Sequence, residues 1–263
     1  MSHLLYQVDA FTEIPFKGNP AAVCLLEKPE PEEWMQGLAF EMNLSETAFL
    51  LPEADGWQLR WFTPTTEVDL CGHATLASAK VLFDNHPDLR GAPLKFFTRS
   101  GVLRARWEDG MVVLDFPVMR PIPLTVGEEI AAVLGFQPIQ AAFSGEYYLF
   151  EAADEDQIRQ AKPDQEALLT LPMPEVIITA QSESSAFDFA SRFFAPQLGI
   201  DEDPVTGSAH CLLTPYWAAK QGKNEFRAYQ ASQRGGVLHL RWEGDRVWIG
   251  GAARVIFSGE LRV

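Results

Sequence analysis

Short apolar or alternating stretches recur along most of this chain, broken by a few in which apolar residues fall three or four positions apart. "LLYQVDAF" and "AAVCLLE" have the apolar content and alternation of strands. "PEEWMQGLAFEM" changes period: Pro31 suits a first helical turn, Trp34, Leu38 and Met42 fall four apart, and Asn43 ends the pattern. "TAFLL" and "WQLRWF" resume strand character. The segment from Gly72 to Phe83 reads as a helix with Ala74, Ala77 and Val81 on one face. "LKFFTR", "VLRARW" and "MVVLDF" come next as strands joined by tight turns such as "EDG". Further on, "EEIAAVLG" and "EDQIRQA" read as helices, and "EYYLFEA", "EVIITA" and "FDFASRFF" as strands. A helix from Ser208 is next, then strands from "FRAYQA" to the end. Pro215 inside that helix predicts a kink or an early stop. Pro117, Pro121 and Pro123 mark "PVMRPIP" as the linker. The class is α+β and strand-rich.

The order of elements repeats because the sequence repeats. "EVDLCGHA" from Glu67 and "EDPVTGSA" from Glu202 share Glu, Gly and Ala at an offset of 135 residues. "RSGVLRARWE" from Arg99 and "RGGVLHLRWE" from Arg234 agree at seven of ten positions at the same offset. "RWFTP" from Arg60 and "RFFAP" from Arg192 are 132 apart, a difference of one three-residue insertion. The chain therefore reads as two related halves, divided at the proline-rich linker into 1–116 and 117–263, with the last strand free to return to the first half.

Composition narrows the function. The formal net charge is −15, which excludes nucleic acid and anionic membrane as partners, since both require a positive face. An acid can still be bound locally, by backbone amides or a few placed side chains. No apolar run is long enough for a membrane span, and the opening "MSHLLYQVDAF" lacks the basic segment and long apolar run of a signal peptide. Cys24, Cys71 and Cys211 are scattered and odd in number, as reduced thiols would be, so a cytoplasmic protein is expected.

The matched turns are where chemistry is expected. Gly72 and Gly207 each stand at a strand-to-helix junction. The first N–H groups of a helix lack internal partners and carry the positive end of its dipole, so two such ends together would hold a substrate carboxylate. A glycine also simply permits a tight turn. Glu46, in the polar break "NLSETAFL", is a candidate acid/base whose burial would raise its pKa; capping or surface exposure is the plainer reading. Asp203 before Pro204 suits a turn, Ser208 suits a helix cap or a substrate contact, and His73 suits either a helix start or a substrate contact. Cys71/His73 and His210/Cys211 lack the spacing of structural zinc ligands, and no HExxH, Walker, dinucleotide or Gly-x-Ser-x-Gly pattern is present. Cofactor-free and metal-free acid–base chemistry is the expectation that remains.

"DAFTEIPFKGNPAAV", "NLSETAFL", "FTPTTEVDLCGHAT" and "DEDPVTGSAH" together resemble the phenazine-biosynthesis isomerase (PhzF-like) family. The resemblance implies a diaminopimelate-epimerase-like fold: two pseudo-symmetric domains, each a curled, barrel-like and mostly antiparallel sheet around a central helix. It also implies an active site in the cleft between them, and usually a homodimer. It makes Glu46 the general acid/base, with His73, Asp203 and Ser208 as its companions. The family's reference reaction isomerises a dihydro-hydroxyanthranilate by moving a proton, without cofactor or metal. Epimerase relatives place a cysteine before each glycine; here Cys71 has only Thr206 as counterpart, and a hydroxyl is too weak an acid to replace a thiol. The expected function is a cofactor-independent isomerase acting on a small carboxylate-bearing molecule. The alternatives are an epimerase, racemase or dehydratase using Cys71 as its single base, and a non-catalytic binding protein of the same fold.

Overall fold

The computed structural model describes residues 3–172 and 175–262. The chain forms two compact units, one of Met1–Asp115 with Gly250–Val263 and the other of Phe116–Ile249. The first repeat runs through β1 (Leu4–Ala10), β2 (Asn19–Leu25), α1 (Glu32–Met42), β3 (Glu46–Glu53), β4 (Gly56–Phe62), β5 (Glu67–Val68), α2 (Gly72–Asn85), β6 (Leu94–Thr98), β7 (Gly101–Glu108) and β8 (Met111–Pro117). The second begins with β9 (Ile122–Leu124), α3 (Glu129–Leu134), β10 (Gln140–Phe143), β11 (Tyr148–Glu151), α4 (Glu155–Gln160), α5 (Gln165–Leu168) and β12 (Val176–Gln181). It continues with β13 (Phe189–Ala195), β14 (Ile200–Asp203), α6 (Ala209–Gln221), β15 (Glu225–Gln230), β16 (Gly236–Glu243), β17 (Arg246–Gly251) and β18 (Ala253–Glu260).

Strand pairing reproduces the repeat step by step. In the first unit β1–β2 is antiparallel, β2–β3 parallel, β3–β4 antiparallel, β4–β6 parallel and β6–β7 antiparallel. In the second, β10–β11, β11–β12, β12–β13, β13–β15 and β15–β16 show the same alternation. The first strand of each sheet gains a further antiparallel partner: β9 pairs with β10, and β18, at the end of the chain, returns to β1. The proline-rich segment is therefore only partly a linker. Pro123 lies on the three-residue strand β9, opposite Ala142 of β10, and a short strand tolerates a missing N–H where no ladder bond is required of it.

Each repeat has one nearly all-buried helix. In α2, residues 73–79 and 81–83 are buried, and the helix packs on β1, β2, β3, β7 and β18. Its small residues allow this sheet to approach closely, and the hydroxyls of Thr75 and Ser78 donate back to the carbonyls of Cys71 and Ala74. In α6, residues 209–218 are buried, with Trp217 stacked on Phe189 of β13 and donating to Thr179 of β12. Because both helices are enclosed, their sequences show a weak one-sided pattern. The α1 stripe is instead one-sided: Met35 and Ala39 are fully buried, with Trp34, Leu38 and Met42 packed beside them. Asn43 ends it in the left-handed conformation.

Pro215 does not stop α6, which runs on to Gln221. The carbonyl that a residue-215 N–H would have bonded is that of Cys211, and it accepts instead from the Met119 N–H at 3.0 Å.

A repeated ion pair braces both units. Arg60 of β4 makes a two-pronged contact with Glu67 of β5, Nε to Oε1 at 2.6 Å and Nη2 to Oε2 at 2.7 Å. Arg192 of β13 grips Glu202 of β14 in the same way, at 2.7 and 2.9 Å, and its Nη1 also donates to the carbonyls of Ile158 and Ala161. Each guanidinium lies over the phenylalanine two residues on, Phe62 at 5.1 Å and Phe194 at 4.9 Å. Arg192→Ala leaves Glu202 and two carbonyls short of a donor. It is expected to cost about 3 kcal/mol and roughly 10 °C in Tm. Arg60→Ala is expected to cost less, because Arg99 also reaches Glu67. Thermal denaturation followed by circular dichroism checks the order; equal losses would show that the carbonyl contacts contribute nothing.

Candidate active site

In the first unit three functional groups meet at the start of α2. Glu46 is the first residue of β3, held in parallel register opposite Ala21 of β2. Cys71 is the extended residue before α2, Gly72 its first residue and His73 its second. Because Cys71 makes no capping bond, the first amides of α2 receive no cap from its side chain. The His73 ring lies between the other two groups, with Nε2 3.1 Å from Glu46 Oε2 and Nδ1 3.6 Å from Cys71 Sγ. The Nε2–Oε2 approach is close but off-line, so neither atom completes a hydrogen bond and both retain capacity for another partner. The site is enclosed: the side chains of His73 and Glu46 are 7% and 13% exposed.

Electrostatics reverses one sequence-based expectation. Burial alone would raise the Glu46 pKa, but the His73 charge and contacts with His73 and Cys71 outweigh it and hold the carboxyl below its ordinary 4.5. Burial alone would lower the His73 pKa; Cys71 and Glu46 lift it well above 6.5 instead. The balance thus runs toward an ionised Glu46 and a protonated His73, against the neutral acid that burial by itself predicts. Burial, with the Glu46 charge adding to it, pushes the Cys71 thiol up to about 11.

The second unit repeats the turn with hydrogen bonds among a hydroxyl, an amide side chain and one carboxylate. Thr206, the counterpart of Cys71, donates through its hydroxyl to Asp203 Oδ2 and through its N–H to Gln230 Oε1 at 2.8 Å. Gln230 Nε2 closes the loop on the Asp203 carbonyl at 2.9 Å. Asp203 ends β14, and its bond to Thr206 is the turn contact that the plainer reading expects. Gly207 accepts from the His210 N–H at 3.0 Å, so the helix opens as a tighter turn before α6 proper. Ser208 makes no capping bond; its Oγ accepts from the Tyr147 hydroxyl at 3.0 Å. Burial, the largest influence, pushes Tyr147 up to about 12, so it remains a donor.

The fold therefore gathers Glu46 with His73, and Asp203 with Gly207 and Ser208. Sequence reading gave no role to Gln230 or Tyr147. Gln230 lies at the end of a strand assigned by its apolar pattern alone, and Tyr147 directly before β11; neither carries a motif. His210 and Cys211 form no ligand pair: His210 Nδ1 donates to the Thr206 carbonyl at 2.8 Å, and burial lowers that imidazole to about 4. Burial pushes Cys211 up to about 12. All three cysteines are free and buried. Among the described residues no helix is long and apolar enough to cross a membrane.

The duplicated, helix-centred sheets define a diaminopimelate-epimerase-like fold, and close relatives named as isomerases give the class of enzyme. A hydroxyproline epimerase from Agrobacterium vitis shares that fold at a TM-score of 0.65, with 12% identity over 99% of this chain and 92% of the other. The family model described as phenazine biosynthesis-like protein (PhzC-PhzF) matches residues 8–259, and the chain belongs to that family. It is 48% identical over 262 residues to an uncharacterized isomerase of Halalkalibacterium halodurans, covering 99% of each chain. It is 45% identical to a PhzF-family phenazine biosynthesis protein of Enterococcus faecalis, whose crystal structure matches at a TM-score of 0.95 over 100% of both chains.

The ion pair gives stability a defined pH window. A histidine raised on folding stabilises fully below its ordinary 6.5, and its contribution disappears as pH rises through the folded value. A carboxylate lowered on folding stabilises fully above its ordinary 4.5, and its contribution disappears as pH falls through the folded value. The contribution is therefore complete between 4.5 and 6.5 and declines on either side. His73→Gln is expected to lower stability by about 1–3 kcal/mol in that window. The difference in Tm from wild type is expected to shrink in alkaline solution; a constant difference from pH 5 to pH 10 would exclude the ion pair.

Proposed function

We propose that this isomerase moves a proton on a small carboxylate-bearing substrate, cyclic or amino-acid-like, with Glu46 as the group that takes and returns it. The buried Glu46–His73 pair is the observation that carries this reading. A base must be unprotonated when substrate arrives, and the imidazolium beside it keeps the carboxylate in that form. His73 also holds the carboxylate in place, and would stabilise it again after the proton has left. The uncapped amides at Gly72 and His73, at the positive end of α2, are suited to a substrate carboxylate. This is how a chain of net charge −15 would bind an acid.

Asp203, Gly207 and Ser208 are assigned to polar groups of the substrate. Tyr147 donates to Ser208, which leaves the serine's own proton available for donation. Cys71 is the weaker candidate for the base. A thiol at about 11 is protonated at neutral pH, and Thr206 supplies no second thiol.

Deuterium uptake from heavy water, screened over small amino and hydroxy acids, tests the reading directly. Wild-type protein is expected to label its substrate at carbon, and Glu46→Gln to slow labelling by about 10²–10⁴-fold while still binding that compound. Undiminished labelling by Glu46→Gln would remove Glu46 as the base. No labelling of any acid shown to bind would favour a non-catalytic binding protein.

A further inference from the structure

We infer that Glu46, Cys71 and His73 form a three-ligand site for a thiophilic divalent cation such as Zn²⁺. One ligand atom from each residue lies within 4.8 Å of the other two. Sulfur, imidazole nitrogen and carboxylate oxygen make up a donor set that zinc accepts, with bonds of about 2.3, 2.0–2.1 and 2.0–2.2 Å. Donors bonded at those lengths in a tetrahedron stand roughly 3–4 Å apart. One ion takes one ring nitrogen, and either choice already has one partner at that spacing: Nε2 is 3.1 Å from Glu46 Oε2, or Nδ1 is 3.6 Å from Cys71 Sγ, with the remaining donor within 4.8 Å. Either ring nitrogen can serve as the third donor, so only a short movement of the more distant partner is required.

A second observation concerns the quality of that contact. His73 Nε2 and Glu46 Oε2 are buried and face each other as an ion pair at 3.1 Å, but off the line of a hydrogen bond and with no other partner, although hydrogen-bonding groups removed from water ordinarily find well-aligned ones. A cation between them would supply one. Its two positive charges would be balanced by the carboxylate and the thiolate, with both the thiol proton and the imidazolium proton released to solvent and the imidazole bound as the neutral ring. With three protein donors the fourth position is open to water, as in catalytic and inhibitory sites and unlike closed structural ones. The pattern C-x-H alone gave no such signal, because the third donor comes from β3, twenty-five residues upstream of Cys71. Among the described residues no other group of three such side chains comes together.

Occupation would take the Glu46 carboxylate out of proton transfer, so zinc would act as an inhibitor; that consequence alone rests on the proposed role of Glu46. Binding itself is read without substrate. Co²⁺ titrated into the wild-type chain is expected to saturate at one equivalent, with a thiolate-to-cobalt charge-transfer band in the near ultraviolet that Zn²⁺ displaces. Cys71→Ser is expected to lose the band, and Glu46→Gln and His73→Asn to weaken binding roughly tenfold or more. Cys24→Ala and Cys211→Ala are expected to keep both band and affinity. X-ray absorption at the zinc edge of the wild-type complex is expected to show one sulfur at about 2.3 Å, whatever the folding of the variants. Absence of saturable one-to-one binding, or a zinc shell without sulfur, overturns the site. If binding holds but zinc leaves substrate labelling untouched, the site stands and the role of Glu46 falls.

Discussion

The arginine–glutamate fork is the constraint on which each unit is built. In both repeats it ties the strand ending in "RWF" or "RFF" to the short strand that leads into the central helix. Glu67 is four residues before Cys71, and Glu202 four before Thr206, so the fork fixes where each site turn begins. Its strength comes from geometry: a planar guanidinium meets a carboxylate with two parallel bonds and leaves little rotational freedom to either. The phenylalanine beneath each guanidinium limits access of water to it. The glycine, the helix start and its amides come next along the chain and inherit the position that the fork sets.

On this shared frame the two units carry different chemistry. The first retains ionisable groups, a carboxylate, a thiol and an imidazole packed within one another's reach. The second has replaced the thiol by Thr206, whose hydroxyl and amide are committed to Asp203 and Gln230. A hydroxyl in that position can brace a turn but cannot exchange protons near neutral pH. The glutamine that completes the loop has no charge to be tuned. Duplication thus preserved the turn, with a carboxylate near it, in both halves, and left a thiol and an imidazole beside that carboxylate at only one of them.

Much of the fold was legible in the sequence because the physics that writes it is local. Alternation marks strands, Asn43 marks a helix end, and the 135-residue offset marks duplication, each from neighbours along the chain. The partial failures are non-local. Pro215 has a local cost, and the Met119 N–H that relieves it lies 96 residues earlier. The proline-rich segment looked like pure linker because its partner strand, β10, is found only after folding. The buried helices α2 and α6 showed little periodicity because burial on every side removes the polar face that creates it.

The same division runs through the candidate site. Residue order alone was enough for the two turns, the acidic chain that must bind an acid locally, the loss of a second thiol at Thr206, and the family motif that singled out Glu46. Folding was needed to show that Glu46 meets His73 and Cys71, that Tyr147 reaches Ser208, and that Gln230 closes the second turn. Folding also set the charge states. Burial, readable in principle from an apolar neighbourhood, predicts a neutral Glu46. A carboxylate pKa, however, depends on which charge stands a few ångströms away, and that neighbour is chosen by the packing of β3 against the start of α2.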